Sequence, residues 1–292
     1  MSDLDFSKTS PVNPAGQPAA PPPPPIYNAA MAMDFFKTAG RPESFTAGAT
    51  LFAEDEKGGL FKSAKMYVLI VGEIEMIAQN QVIGTVRAGE TFGEMAVIAQ
   101  AARTATARAK TQCTVIGLDE KQYQAALQQK PEFALMLMSI INSRLRSTIS
   151  RLRASGSLHA GEAKEAPVFD KKLMAGLVNL MGGQEPARYP AGKMIMQEGT
   201  GGAFMYVVLE GKVAITIKGG LVGRAGPGGV FGEMALVDQS ARAATAVAET
   251  DCALLAINRA AFLQLVKTSP AFGAALLSGL AARAKDMAVR NK

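Results

Sequence analysis

The sequence contains no tryptophan and a single histidine, His159, and only 6% of its residues are aromatic. With one histidine, neither a histidine-based catalytic dyad nor a histidine-rich metal site is expected within a domain. No apolar run approaches the ~20 residues that a membrane helix requires. The first residues also lack the basic and then apolar order of a secretory signal. These absences predict a cytoplasmic protein without a membrane segment or a bound metal.

The sequence does contain a long internal repeat. The stretch FGEMALVDQSARAAT, residues Phe231 to Thr245, matches FGEMAVIAQAARTAT, which begins 139 positions earlier at Phe92. The same spacing relates several further pairs: Gly72 and Gly211, Cys113 and Cys252, Pro131 and Pro270, Phe133 and Phe272. A unit of this length is a whole domain rather than a solenoid repeat of ~20 to 50 residues. The chain is therefore predicted to contain two copies of one domain, with the two cysteines in equivalent strands rather than in one disulfide.

Composition predicts the limits of the two domains. Residues 1–30 contain a run of five prolines and are expected to form a disordered tail. Residues 31–153 and 170–292 form the two domains, and the small and polar residues 154–169 form a linker. In each domain, short alternating segments broken by glycine indicate antiparallel strands, and helical patterns follow Pro131 and Pro270. The predicted fold is α+β, with two tandem β-rolls of jelly-roll or double-stranded β-helix type, each followed by helices.

The repeated stretch has the residue types of an anion and hydroxyl site. Gly232 permits close approach of the backbone to a ligand. Arg242 carries a planar fork of donors that matches two phosphate oxygens. Glu233 would repel a phosphate but can accept a hydrogen bond from a hydroxyl on the same ligand. Small alanines around Arg242 leave room for a compact molecule. A sugar with a cyclised phosphate has this combination of groups.

With these residues, the two stretches resemble the phosphate-binding cassette of the cyclic nucleotide-binding domain family, most closely the regulatory subunits of cyclic-AMP-dependent protein kinase. The family pattern F-G-E-x-A-L, followed by R-[AT]-A-[TS] and a strand, is present in full in the second stretch, and the first stretch differs from it in having Val97 in place of the leucine. The resemblance covers residues 34–153 and 170–290. It implies a cyclic mononucleotide as ligand, with cyclic AMP favoured, and no other cofactor.

The resemblance also implies the roles of particular residues. Glu94 and Glu233 would hold the ribose 2′-hydroxyl, and Arg103 and Arg242 the cyclic phosphate. The remaining site residues would supply backbone contacts or line the site: Gly93, Met95, Ala96, Thr104, Gly232, Met234, Ala235 and Ala243. In the family, a threonine at the position of Thr104 can contact a guanine, so the first site leaves cyclic GMP open. The resemblance implies a cap over the base, for which Arg146 and Arg283 are the candidates. A salt bridge that only closes a loop is the structural alternative for each Glu and Arg pair.

The leading functional interpretation is a receptor that regulates a separate, unidentified protein. No helix-turn-helix, Walker loop or kinase signature is present in the sequence, and no base or nucleophile accompanies the acid and the arginine, so an enzyme is not expected. A ligand-independent adaptor with degenerate pockets remains an alternative. A nucleic-acid binder is another, suggested by Arg144, Arg146, Arg151 and Arg153, although no aromatic residues interleave these arginines.

The helix after Pro131 carries an apolar stripe of coiled-coil type. Its members recur at steps of three and four residues: Met138, Ile141, Leu145, Ile149 and Leu152. The stripe predicts either a homodimer or a clasp on an acidic partner surface.

Overall fold

The computed structural model describes residues 27–58, 64–154, 167–238 and 241–289. Side chains near the ends of the two longest helices, including Arg144, Arg146 and residues 147–154, are outside this description. The predicted tail up to residue 26, His159 and most of the linker lie outside it as well.

Within the described residues, the first domain consists of two four-stranded antiparallel sheets. Its strands are β1 (Pro42–Phe45), β2 (Thr50–Phe52), β3 (Met66–Val71), β4 (Glu73–Ala78), β5 (Gln81–Arg87), β6 (Thr91–Phe92), β7 (Thr106–Ala109) and β8 (Cys113–Leu118). One sheet has the order β1-β8-β3-β6 and the other β2-β7-β4-β5. Apart from β4 and β5, neighbouring strands in these sheets are not consecutive in the chain, an order typical of a jelly roll.

The second domain repeats this topology. Its strands are β9 (Ala187–Tyr189), β10 (Met194–Met196), β11 (Phe204–Glu210), β12 (Val213–Ile217), β13 (Gly220–Ala225), β14 (Val230–Phe231), β15 (Thr245–Ala248) and β16 (Cys252–Asn258). The two sheets have the orders β14-β11-β16-β9 and β10-β15-β12-β13. Cys113 and Cys252 are free and buried in the equivalent strands β8 and β16, as predicted.

Glycine forms the corner at which the chain passes from one sheet to the other. Gly72 and Gly211 have φ values of 97° and 84°, a region that side chains disfavour. A Cβ at Gly72 would lie 2.5 Å from the carbonyl oxygen of Gln112. These two glycines therefore separate strands that belong to different sheets, instead of closing a hairpin.

Eight described helices complete the two domains. They are α1 (Ala29–Ala39), α2 (Glu94–Ile98), α3 (Glu120–Gln129), α4 (Glu132–Ala154), α5 (Lys171–Leu180), α6 (Met234–Asp238), α7 (Arg259–Thr268) and α8 (Pro270–Val289). Asp119 and Gln122 form a capping box at the start of α3, and Asn258 caps α7. The helices that follow the two prolines confirm the helical interpretation of those segments.

Aromatic residues fix the helix that follows each proline. Phe133, on α4, stacks on Phe35 of α1 with ring centroids 3.7 Å apart. Its repeat counterpart Phe272, on α8, stacks on Phe169 at 5.3 Å. All four side chains are buried, so the helix after each proline is fixed at its first turn by hydrophobic packing.

The two long helices cross between the domains. Helix α4 of the first domain lies against α8 and against α6 of the second. Helix α8 lies in turn against α2 and α3 of the first domain. Met138, Ile141 and Leu145 of the apolar stripe are buried in this single-chain core together with Leu277 and Leu280 of α8.

The crossing bears on the predicted homodimer. The described part of the stripe is already covered inside one chain, so a homodimer through it would have to displace α8 or α6. The homodimer stays a prediction. The side chains of Ile149 and Leu152 lie outside the described residues.

The α+β class and the two tandem strand-and-helix units are confirmed. The domain limits stay predictions, with one difference at the start of the chain. Helix α1 begins at Ala29, inside the expected tail, because the side chain of Asn28 accepts a hydrogen bond from the Met31 amide and caps it.

No single helix in the described ranges has the length and apolarity of a membrane span. One pair, Arg259–Thr268 with Pro270–Arg283, meets that criterion jointly and is bent by 115°.

The crossed helices make a prediction for stability. Ile141→Ala removes a fully buried side chain from the α4 interface, and we expect the free energy of unfolding to fall by about 2–5 kcal/mol. Val82→Ala, at a side chain that is 57% exposed, is the control and should change it by less than about 0.5 kcal/mol. Urea denaturation measures both. Equal effects of the two variants would contradict the packing described.

Candidate functional site

Each repeated stretch folds as a two-residue strand, a glycine and one short helix. Gly93 and Gly232 follow β6 and β14 with φ values of 73° and 75°, which turn the chain directly into α2 and α6. A Cβ at these glycines would lie 2.9 Å and 2.7 Å from Nη1 of Arg103 and Arg242, respectively. Glycine is therefore required twice over, by its backbone conformation and by the approach of the arginine.

The two arginines are held by backbone carbonyl groups. Nη1 of Arg242 donates to the carbonyl oxygens of Phe204 at 2.8 Å and Gly232 at 2.9 Å. The main chain of Arg242 is paired as well, with its N–H donating to Thr200 and its carbonyl accepting from Gly199. This arginine is fixed at both its main chain and its side chain.

Arg103 is fixed in the same way in the first domain. Its Nη1 donates to the carbonyl oxygen of Gly93 at 2.8 Å and its Nη2 to that of Lys65 at 2.6 Å. Its guanidinium carbon also lies 3.9 Å from the centre of the Phe52 ring, a cation–π contact. Sequence reasoning did not identify Phe52 as part of the site, because β2 precedes the cassette by about 40 residues and pattern analysis does not show long-range contacts.

The donors that each arginine keeps for a ligand differ between the copies. Among the described residues, Nε and Nη2 of Arg242 donate to no protein acceptor. These two adjacent N–H groups form the edge that binds two oxygens in parallel. In Arg103 the Nη2 group is engaged by Lys65. The second site is therefore the one whose guanidinium makes no bond to a described carbonyl group through either Nε or Nη2, whereas in the first site one N–H of Nη2 is used.

Burial gives these arginines unusual electrostatics. Both side chains are about 6% exposed, and burial lowers the pKa of the Arg242 guanidinium, while Tyr206 and Glu233 act to raise it. Burial likewise lowers the pKa of Arg103, against the effect of Tyr67, Glu56 and Glu94. An arginine stays protonated at any ordinary pH. Each site therefore contains a cation that has lost much of its hydration, and a bound anion would compensate for that loss.

The two glutamates are buried beside these cations. Glu233 is 3% and Glu94 6% exposed. Oε1 of Glu233 lies 3.5 Å from Nη1 of Arg283 on α8, and Nη2 of Arg283 donates to the carbonyl oxygen of Val230 at 3.0 Å. In the second copy the acid thus has Arg283 as its ionic partner, and the hydrogen bonds of Arg242 go to carbonyl oxygens. A loop-closing pair between Glu233 and Arg242 is absent from the described residues.

Arg283 was a candidate for the base cap, and the structure places it on the carboxylate of Glu233. The 139-residue spacing makes Arg144 its counterpart in the first domain. The side chains of Arg144 and Arg146 lie outside the described residues.

A cavity of about 660 Å³ opens in front of the second cassette. Five of the predicted second-site residues line it: Gly232, Glu233, Met234, Arg242 and Ala243. The sixth, Ala235, lies on α6, and its side chain is not described. Apolar walls come from Ile215 and Val222 on β12 and β13 and from alanines of α8. The volume is within the ~300–1,000 Å³ usual for small-molecule sites.

The first domain completes this cavity. Val97 and Ile98 of α2, Tyr123 of α3 and Leu145 of α4 form part of its wall. The contribution of one domain to the site of the other was not predicted, because it depends on the crossing of α4 and α8.

The predicted first-site residues are also brought together. Gly93 contacts Arg103, and Glu94, Met95 and Ala96 form the first turn of α2. Thr104 follows Arg103 and is exposed. The assignment of ligand contacts to either set stays a prediction.

A glycine missed by the sequence reasoning packs on Arg242. A Cβ at Gly202 would lie 2.2 Å from Nε and 2.3 Å from both Cζ and Nη2, so the backbone of Gly202 packs against the guanidinium group itself. The only sequence signal is the pair Gly201 and Gly202 shortly before β11, where a glycine often marks close approach of the backbone.

Comparison with known proteins agrees with this architecture. The family model described as "Cyclic nucleotide-binding domain" matches residues 42–130 and 186–269, more than half of the chain. Similar solved structures include the regulatory domain of Toxoplasma gondii PKA with cAMP, at 21% identity over 86% of this chain and 88% of that one, with a TM-score of 0.30. The regulatory subunit of a cAMP-independent protein kinase A from Trypanosoma brucei has 17% identity over 82% and 88%, with a TM-score of 0.32.

A shorter match is the N-terminal domain of a transcriptional regulator from Streptomyces coelicolor A3(2). It has 23% identity over 42% of this chain and 87% of that one, with a TM-score of 0.34. At these identities and TM-scores, no ligand or partner is inferred from the solved structures.

The position of Gly202 makes a prediction for the second site. In Gly202→Ala the added methyl group should displace the Arg242 guanidinium and break its bonds to Phe204 and Gly232. We expect the free energy of unfolding to fall by about 1–3 kcal/mol, the cost of leaving buried polar groups unsatisfied. The neighbouring variant Gly201→Ala is the matched control, since a Cβ there meets nothing within 4 Å. Denaturant unfolding measures the free energy of unfolding of both variants. Equal values would show that Gly202 does not constrain Arg242.

Proposed function

This chain belongs to the cyclic nucleotide-binding domain family, and from that premise we propose that it is a receptor for cyclic AMP, favoured over cyclic GMP. Binding changes the arrangement of its helices and thereby regulates a separate protein. At the level of the family the role is regulatory and non-enzymatic. The observation that carries the proposal is the free donor edge of Arg242, buried in a cavity that also contains the carboxylate of Glu233.

The phosphate of a cyclic nucleotide fits the Arg242 edge by charge and by geometry. Nε and Nη2 are two parallel donors on a cation, and a phosphate presents two equatorial oxygens to them. The site is largely desolvated, so this ion pair is stronger than an equivalent pair at the surface. Arg242 is already held by backbone carbonyl groups, so little side-chain entropy is lost on binding.

The carboxylate of Glu233 suits the ribose hydroxyl. Its Oε1 is engaged by Arg283, and among the described residues its Oε2 has no hydrogen-bond partner. The 2′-hydroxyl can donate to that oxygen, as the family pattern implies. A ligand held at both groups would bridge Arg242 on one side and the Glu233–Arg283 pair on the other.

The Arg283 contact provides the route from ligand to helices. Arg283 lies on α8, so a ligand that engages Glu233 acts on a residue bonded to that helix. Helix α8 lies against α2 and α3 of the first domain. A ligand shifts a two-state protein only by its differential affinity for the two states. We propose that the bound state fixes α8, and that its contacts with the first domain form the surface sensed by the partner protein.

The choice of cyclic AMP for the second site rests on Ala243. The first copy has Thr104 at this position, and only a threonine offers a hydroxyl to a guanine. Ala243 lines the cavity and has no such group. The first site, whose arginine donates Nη2 to Lys65, is expected to bind more weakly.

Thermal unfolding tests the receptor. We expect cyclic AMP at a hundred times its dissociation constant to stabilise the chain by about 2.7 kcal/mol, cyclic GMP to give a smaller shift in the unfolding midpoint, and a cyclic dinucleotide to give none. Arg242→Ala should remove the larger part of the shift, and Arg103→Ala only the smaller part. Glu233→Ala should weaken binding while retaining some of it.

Arg188→Ala is the matched control, because Arg188 is exposed on β9 away from the cavity. It should leave the shift intact. A wild-type chain whose unfolding midpoint is unchanged by all three ligands would contradict the receptor and favour an adaptor.

A further inference from the structure

A polar cluster of the first domain lines the cavity of the second. Gln100, which follows α2, and Glu120 and Gln124 of α3 are all part of the wall. Nε2 of Gln100 donates to Oε1 of Glu120 at 2.8 Å, and Nε2 of Gln124 lies 3.5 Å from the same oxygen. Both glutamine amides therefore contact the same carboxylate oxygen of Glu120.

The other oxygen of Glu120 is an open acceptor. Among the described residues, Oε2 of Glu120 has no hydrogen-bond partner. The hydrogen bond from Gln100 holds the exposed carboxylate through Oε1, which leaves Oε2 as an acceptor at the wall of the cavity. A bound group with an N–H is its natural complement.

The internal repeat does not keep this acidic residue. Its counterpart in the second domain is Arg259, 139 positions later. Arg259 donates to the carbonyl oxygens of Leu236 and Val237 at the end of α6, which is a structural role. Glu120 cannot donate to the end of α2, because a carboxylate has only acceptors. The first domain therefore places an acceptor where the second domain has a structural donor.

The lining of the cavity contains two sets of polar groups and several apolar residues. The cassette of the second domain supplies Arg242 and Glu233, and the first domain supplies the Glu120 cluster. Ile215, Val222 and Val97 contribute the apolar walls. A cyclic purine nucleotide carries groups that complement each of these: an anionic phosphate, a ribose hydroxyl, a flat base with apolar faces, and a polar edge.

We propose that Glu120, held by Gln100 and Gln124, is a specificity-determining residue that accepts a hydrogen bond from the exocyclic amine of a 6-aminopurine bound to the second cassette. The inference rests on the proposed function and adds that the first domain reads the base in the second site. The second site is then complete only when both domains are in place.

The single open oxygen favours adenine over guanine. Guanine has a carbonyl oxygen at position 6, which a carboxylate repels. Its N1–H and N2–H₂ groups would pair best with two free carboxylate oxygens, and one oxygen of Glu120 already accepts from the glutamine amides. Adenine offers one amino group at position 6, which matches one acceptor.

Paired ligands and variants test this contact. Calorimetry compares the binding of cyclic AMP with that of purine riboside 3′,5′-cyclic monophosphate, which lacks only the 6-amino group. The chain carries Arg103→Ala, so that the second site is the one that binds. Glu120→Ala should weaken cyclic AMP about tenfold, the usual effect of one hydrogen bond to a charged group, and leave the deaminated analogue unchanged. Glu120→Gln, which keeps an acceptor oxygen, should lose less affinity for cyclic AMP than Glu120→Ala does.

Glu132→Ala is the control, since Glu132 is an exposed carboxylate on α4 outside the cavity. If Arg103→Ala does not fold, the titrations use the chain with both cassettes intact. The loss of affinity for cyclic AMP in Glu120→Ala should then be confined to one binding step. If Glu120→Ala weakens the binding of both ligands equally, or of neither, the inference is wrong and the proposed receptor function is unaffected. Absence of binding by either nucleotide to the wild-type chain overturns the receptor, and the inference with it.

Discussion

Two buried guanidinium groups are the constraint on which the site architecture depends. A desolvated cation costs several kcal/mol unless nearby groups compensate. Here Nη1 of Arg242 is satisfied by the carbonyl oxygens of Phe204 and Gly232. That contact requires a glycine at position 232, since a Cβ would collide with the guanidinium. The fixed arginine lines a cavity, and two of its donors have no acceptor among the described residues, which is the basis of the proposed anion site.

The two copies share a topology but present different sites. Arg103 donates to two carbonyl oxygens through both terminal nitrogens and stacks on Phe52, so less of its donor edge is available. Arg242 keeps the full edge and lies in a cavity closed by the other domain. The crossing of α4 and α8 makes this asymmetry possible, because the helices of the first domain cover the second cassette. One copy thus contributes a wall to the site of the other, and ligand binding is expected to depend on how the domains are arranged.

Much of this was predictable from the sequence, because the determinants are local. The 139-residue repeat, the glycine-punctuated strands and the prolines before α4 and α8 predicted the tandem α+β fold. The spacing of Glu233 and Arg242 identified residues that line one cavity. Contacts between distant segments could not be predicted. The stripe from Met138 to Leu152 predicted a homodimer or a clasp on an acidic partner surface, but sequence periodicity does not reveal that its described part packs with α8 of the same chain. Gly202 and Glu120 reach the second site only through the tertiary fold, and the pair Gly201 and Gly202 is the one local signal for either of them.

Hydrogen exchange most directly tests the claim that the second site binds its ligand between two domains. Cyclic AMP would be added to the Arg103→Ala chain, and amide exchange would be compared with and without ligand. The account predicts slower exchange in the second cassette, residues 231–238, and also in residues 97–100 and 120–124 of the first domain. Protection confined to the second domain would contradict the shared site, and unchanged exchange throughout would contradict ligand binding itself.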